Sequence, residues 1–368
     1  MLRHSSAPLR LRALSIAALL LSLLSQSFSG QSQSQQSKQA NEPEEGTVKL
    51  EATEVSLPVS VRNRNTGALV GNLKISDFIV YEDNVQQEIS FFTATRVPVN
   101  VVLLIDVSSS LRSEIENIKA AALNFIRELG DNDKVSIMAF SDTVELIQDW
   151  TSDKSALESA LLRIRRGEHT AFNDALFLAA EEQLMGVKGR KAIIILSDGV
   201  DNQASQLSFE QAFDALMHSE ATVYVVSKTA ILSSRINDEL RMREKALIGQ
   251  ASQRESEYIS DLKLALKILG DSEKRLTRIV EETGGRIYLP MSQRDLLGAY
   301  SEVATEIKSQ YIINYIPSNT ARDGRFRRVR VKCTNPNYRT YSRGGYYAPK
   351  DAPDEATTGP RLIRRDQD

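Results

Sequence analysis

From residue 99 onward the chain keeps one rhythm: an apolar run, then a stretch whose apolar positions recur every three or four residues, then another apolar run. The runs lie at 99–105, 135–140, 192–196 and 222–227, with a shorter one at 286–289. Between them Ile115, Ile118, Ala122, Phe125 and Leu129 share one helical face, as do Leu157, Leu161 and Ile164, then Phe209, Phe213 and Met217. Strands that are apolar at every position must be covered on both sides, and the intervening amphipathic helices supply the cover. The pattern predicts an α/β fold, a doubly wound and mainly parallel Rossmann-like sheet over residues 98–310. Val144–Ile147 follows Phe140 too closely for a crossover helix and reads as an antiparallel edge strand.

The flanks follow other rules. Over 47–97 the period is two: Val55, Leu57, Val59 and Val61 alternate with residues that can face water, and NRNTG and EDN supply turns. A small antiparallel β unit is expected there, too thin to hold its own core. Residues 311–349 add three more strand-like segments, SQYIINYIP, GRFRRVRVKC and YRTYSRGGYYAP, which would complete that unit. Residues 230–271 interrupt the α/β rhythm with heavy charge and a loose stripe of Ile236, Leu240, Leu247, Ala251, Tyr258, Leu262 and Leu269. They predict a helical insertion, as one long helix or a hairpin. Residues 30–46 and 350–368 lack the apolar content to form a core and are expected to be disordered.

The first 29 residues read as a secretory signal: Arg3, Arg10 and Arg12, the apolar run Ala13–Leu24, then Ser27 and Ser29. Twelve apolar residues are few for a bilayer span. The expected location is therefore secreted or periplasmic, with membrane contact only through an uncleaved signal anchor. Removing this segment takes away three arginines and no acids, so the formal charge of −2 moves to about −5. No basic block or aromatic-interleaved basic stripe remains, and a nucleic-acid partner has no support. Cys333 is the single cysteine and lies on the same side of an alternating strand as Val329 and Val331, so a buried, inert thiol is expected.

In a doubly wound sheet, ligands bind beyond the carboxyl ends of the strands. The first strand runs into Asp106-Val107-Ser108-Ser109-Ser110, the 192–196 strand into Ser197-Asp198-Gly199, and the loop RGEHTAFNDAL carries Thr170. Asp and Ser after a strand are also common helix caps. Two carboxylates and three hydroxyls, with no thiolate, are a donor set for a hard cation, Mg²⁺ or Mn²⁺, rather than for zinc or copper. Because Mg²⁺ takes about six oxygens, five protein donors leave room for an oxygen from outside.

Here the sequence resembles the von Willebrand factor A domain, whose metal-ion-dependent adhesion site has the pattern D-x-S-x-S…T…D. The resemblance implies Asp106, Ser108, Ser110, Thr170 and Asp198 as the metal site. It implies a protein partner that presents an Asp or Glu to the metal. Glu168 and His169 stand where many members have glycines, which bears on how closely Thr170 can approach. A wider similarity, through SDFIVYEDNVQQEISFF, EETGGRIYLP and the tyrosine-rich end, is to secreted bacterial proteins called VWFA-related.

Asp174, early in the next helix, reads as a first-turn acid favoured by the helix dipole, and Trp150 as a packing residue. Catalysis is not expected. Beyond residue 29 the histidines are His169 and His218, there is no G-x-S-x-G elbow, and H-E-x-x-H and the phosphate-binding glycine loop are absent. The sequence therefore points to a secreted, metal-dependent protein-binding module. The alternative is an envelope scaffold whose metal only clamps loops while the helical insertion or β unit makes the contacts.

Overall fold

A computed structural model of the chain describes residues 54–108, 115–201, 204–246, 253–350 and 359–364. The expected signal segment, the 30–46 linker, Ser110 and most of the tail lie outside the described residues. Four strands come first: β1 (Val55–Asn63), β2 (Phe78–Glu82), β3 (Val85–Gln87) and β4 (Ile89–Thr93). Asp83 and Asn84 join β2 to β3 with φ of 46° and 69°, the two left-handed residues a tight hairpin turn needs.

The α/β part follows as β5 (Val99–Asp106), α1 (Ile115–Glu128), β6 (Lys134–Phe140), β7 (Val144–Thr151), α2 (Lys154–Arg163) and α3 (Phe172–Leu178). It continues with β8 (Arg190–Leu196), α4 (Phe209–Ser219), β9 (Thr222–Val226), α5 (Thr229–Ala246), α6 (Gln253–Thr283), β10 (Arg286–Tyr288) and α7 (Gln293–Lys308). Then come β11 (Tyr311–Tyr315), β12 (Phe326–Cys333), β13 (Tyr338–Tyr341), β14 (Gly345–Tyr347) and β15 (Ile363–Arg364).

The large sheet has the order β10-β9-β8-β5-β6-β7-β15. Every neighbouring pair is parallel except β6 with β7. Side chains alternate along the strands, so each strand feeds two cores. Val101, Leu103 and Ile105 of β5 meet Ile118 and Phe125 of α1, Leu157 of α2 and Tyr300 and Val303 of α7. Val102 and Leu104 face the other way, among Phe172 and Leu176 of α3, Phe213 and Leu216 of α4, and Leu276 and Ile279 of α6. Helices on both faces of a mainly parallel sheet are the doubly wound arrangement that the apolar runs predict. The chain leaves β5 toward β6 but later places β8 on the opposite side of β5, so the strand order reverses there.

The remaining strands form two four-stranded sheets, β13-β1-β11-β4 and β14-β12-β2-β3. Between them lies one core of Val55, Leu57, Val59 and Val61 from β1 with Phe78, Val80, Tyr311, Ile313, Tyr315, Val329, Val331 and Tyr346. Residues 311–347 thus complete the N-terminal β unit: β11 sits between β1 and β4, and β12 pairs with β2. Apart from β15, the α/β domain is inserted between β4 and β11.

Four expectations need correction. The strand at Val144–Ile147 is antiparallel, but β15 pairs along its outer side, so it is not an edge. The same pairing shows that the tail from residue 350 is not uniformly unstructured: Ile363 and Arg364 extend the sheet and Leu362 is buried. The helical insertion does not stop at residue 271. α5 and α6 pack together, with Arg243 bonded to Glu239 and Glu255 and the Tyr258 hydroxyl donating to Glu239. α6 then runs on to Thr283, and its buried Leu269, Leu276, Ile279 and Val280 make it the crossover helix leading to β10. Cys333 shares the side of Val329 and Val331 but is only half-buried, because it ends its strand.

Candidate metal centre

The four described members of the predicted set lie where the sheet's strand order reverses, at or beside the carboxyl ends of β5 and β8. Asp106 is the last residue of β5 and has no exposed surface. Its Oδ1 accepts the Ser108 amide at 2.9 Å, which turns the chain back so that Ser108, also buried, stays beside it. Its Oδ2 accepts the hydroxyl of Ser197 at 2.6 Å. Ser197 Oγ in turn accepts the Gly199 amide at 2.9 Å, and Asp198 Oδ1 accepts the Val200 amide at 3.1 Å. The Asp198 carbonyl accepts the buried Ser272 hydroxyl of α6 at 2.5 Å. One serine therefore joins the Asp106 loop to the Asp198 loop directly.

The third loop is laced by its backbone to the Asp106 loop and to the turn between β6 and β7. Gly167 donates its amide to the Val107 carbonyl at 3.0 Å, and Ala171 donates to the Ser141 carbonyl at 2.7 Å. A side chain at Gly167 would meet Ser141 Oγ at 2.0 Å, so this close approach requires glycine. Thr170, between these two anchors, is 5% exposed. Glu168 and His169 are exposed, and their amides donate to Asp142 at 3.1 and 3.3 Å. The bulk that distinguishes this loop from a glycine-rich one therefore points into solvent. Those bonds, led by the one from Glu168, hold the Asp142 carboxyl below its usual range.

Asp174 does more than favour a helix dipole. It is buried, and its carboxylate accepts the amides of Gln206 and Leu207 at 2.9–3.0 Å, fixing the segment that follows the Asp198 loop. Asp201 similarly accepts the Asn173 amide at 3.1 Å. Trp150 packs against the helix-covered core, as a packing residue should.

Burial pushes the Asp106 carboxyl up, opposed by its bonds to Ser108 and Ser197 and by the nearby Lys228 ammonium. Lys228 is itself buried, and burial brings it down to about 8, aided by Arg235 and resisted by Asp106. Ser197, Asp142 and Lys228 all shape the site and none was singled out from the sequence. Ser197 carried a signal, since it precedes Asp198 at the end of the same strand. The other two become neighbours of the site only in three dimensions.

Two buried carboxylates and the hydroxyls of Ser108 and Thr170, with no sulfur donor, fit a divalent cation that prefers hard oxygens. A buried carboxylate whose ionised form is penalised by desolvation also fits, because a cation relieves that penalty.

Residues 101–200 match the von Willebrand factor type A domain family. The doubly wound sheet and the loops at its strand ends fit that match, so residues 101–200 carry a von Willebrand factor type A domain. Such domains in general mediate protein–protein interaction, and those with this metal motif bind divalent cations. Over 108 residues the chain is 30% identical to an uncharacterized protein of Synechocystis sp., covering 28% of this chain and 26% of that one. It thus spans about a quarter of the length of the curated relative that it matches. Among solved structures it is similar to the conserved hypothetical protein BatB of Bacteroides thetaiotaomicron, 25% identical over 35% of this chain and 66% of that one, TM-score 0.31. It is also similar to proximal thread matrix protein 1 of the mussel byssus, solved with a zinc-occupied MIDAS motif. That protein is 14% identical over 61% of this chain and 49% of its own, TM-score 0.43.

Proposed function

We propose that this chain is a secreted, non-enzymatic binding protein that captures a protein partner through an Asp or Glu of that partner, using Mg²⁺ or Mn²⁺ held by Asp106, Ser108, Ser110, Thr170 and Asp198. The observation that carries the reading is the direct bond from Ser197 to the fully buried Asp106, which brings two oxygen-bearing loops to one point at the reversal of strand order. The bound cation would supply the Lewis-acidic contact to the incoming carboxylate. The chain's own residues fix the geometry: Ser197 and the Ser108 amide orient Asp106, while Gly167 and Ala171 hold the Thr170 loop against its neighbours. Buried donors held in place in this way lose little freedom when the partner arrives, which favours affinity.

The test is partner capture from an envelope extract in Mg²⁺ and in EDTA. The unaltered chain retains its partner only with Mg²⁺, and Asp106→Ala retains nothing while keeping its circular dichroism spectrum. Equal capture by Asp106→Ala would sink the metal-mediated mechanism. Capture that persists in EDTA with the fold intact would instead favour a scaffold whose contacts lie elsewhere.

A further inference from the structure

Behind the candidate metal site lies a lysine that no motif marks. Register runs from Ile105 through Leu196 to Val226, so Asp106, Ser197 and Ser227 continue one row across the carboxyl edge of the sheet. Lys228 is the next residue beyond that row and is 5% exposed. With Ile118 of α1, Ser197, Val226 and Tyr300 of α7 it lines a narrow cavity of about 10 Å³. Its side chain therefore lines one cavity with Ser197, the residue whose hydroxyl donates to Asp106 Oδ2. A lysine ammonium is normally kept in water, and placing it in an apolar cavity is costly unless an anion compensates it. Asp106 exerts such an attraction on Lys228, and Lys228 on Asp106, against the repulsion of Lys228 by the Arg235 guanidinium.

We propose that Lys228 is a positioning residue that sets the strength of the metal site: its ammonium holds the Asp106 carboxylate when no cation is bound and opposes a cation that enters. The inference rests on the metal reading above. Its physical basis is that like charges in a site of low polarity act on each other over several ångströms with little screening. A fixed positive charge behind a ligand carboxylate lowers that carboxylate's attraction for a divalent ion. It also keeps the carboxylate from swinging away in the metal-free state.

Titration calorimetry with Mg²⁺, and separately Mn²⁺, tests this on the full chain and on Lys228→Met, Lys228→Gln and Lys228→Arg. Lys228→Met and Lys228→Gln are expected to bind about tenfold more tightly than the unaltered chain, and Lys228→Arg within about twofold of it. In thermal melts the midpoint gained on adding saturating Mg²⁺ grows in the two neutral variants, as tighter binding requires. A merely structural lysine would shift the midpoint equally with and without Mg²⁺. Unchanged or weaker binding in both neutral variants overturns the proposal, as does failure of both to fold while Lys228→Arg folds. If the unaltered chain binds neither metal, the metal reading falls and takes this inference with it.

Discussion

The carboxylate of Asp142 holds the threonine loop by accepting the amides of Glu168 and His169. His169 Nε2 stands 3.8 Å from the same carboxylate. Asp142→Ala is expected to weaken Mg²⁺ binding by about threefold to tenfold, as loss of one or two loop-fixing hydrogen bonds implies, and calorimetry reads it. The sign of the pH effect follows from the lowered carboxyl. The tether is fully present above the ordinary aspartate range near pH 4 and is lost as pH falls through the depressed folded value. Hydrogen exchange at the Glu168 and His169 amides should therefore lose protection at acid pH in the unaltered chain and lack it at neutral pH in Asp142→Ala. At this scale the sequence marked its candidate donors because their types and order are local facts: Asp106 and Ser108 in one turn, Thr170 before a helix, Asp198 after a strand. It could not reveal Asp142 or Lys228, whose roles depend on which loops fold beside them.

Among the elements, the turn after α6 carries a tight constraint. Gly284 has φ of 76°, and a Cβ there would lie 2.2 Å from the Ser342 carbonyl carbon and 2.3 Å from the Arg343 amide. Around it the Gly344 amide donates to the Glu282 carbonyl at 2.7 Å, so the end of α6 is stitched to the strand-linking loop of the β unit. Gly284→Ala should cost about 3 kcal/mol from left-handed strain and steric overlap together, read as a lower urea midpoint with an unchanged slope. The EETGG stretch, prominent in the sequence, is explained by this contact. Strands and helices of the α/β part were legible because burial on two faces writes continuous apolar runs. Two features were not. β15 is two exposed residues whose pairing with β7 leaves no periodicity to read. The continuity of α6 was hidden because its first half is a charged hairpin arm and only its second half faces the sheet.

Across the whole molecule, a buried ion pair joins the two layers. Arg62 of β1 bonds Glu306 of α7, which also accepts the Tyr288 hydroxyl of β10 at 3.0 Å. Glu306 is fully buried, so Arg62→Met leaves an uncompensated charge and is expected to cost about 3–5 kcal/mol. Arg62→Met combined with Glu306→Leu should recover most of that loss, and denaturant melts of the single and double variants decide it. Charge patterning in the sequence held no hint of this pair, since its members lie far apart along the chain and only the return of β11 beside β1 brings their layers together. That return has a further consequence for biogenesis. Both neighbours of β1, and the long partner of β2, are translated after every strand of the large sheet except β15. A nascent chain therefore carries sticky, unmatched strands while β5 to α7 are being made, and they close only once residues 311–341 have left the ribosome.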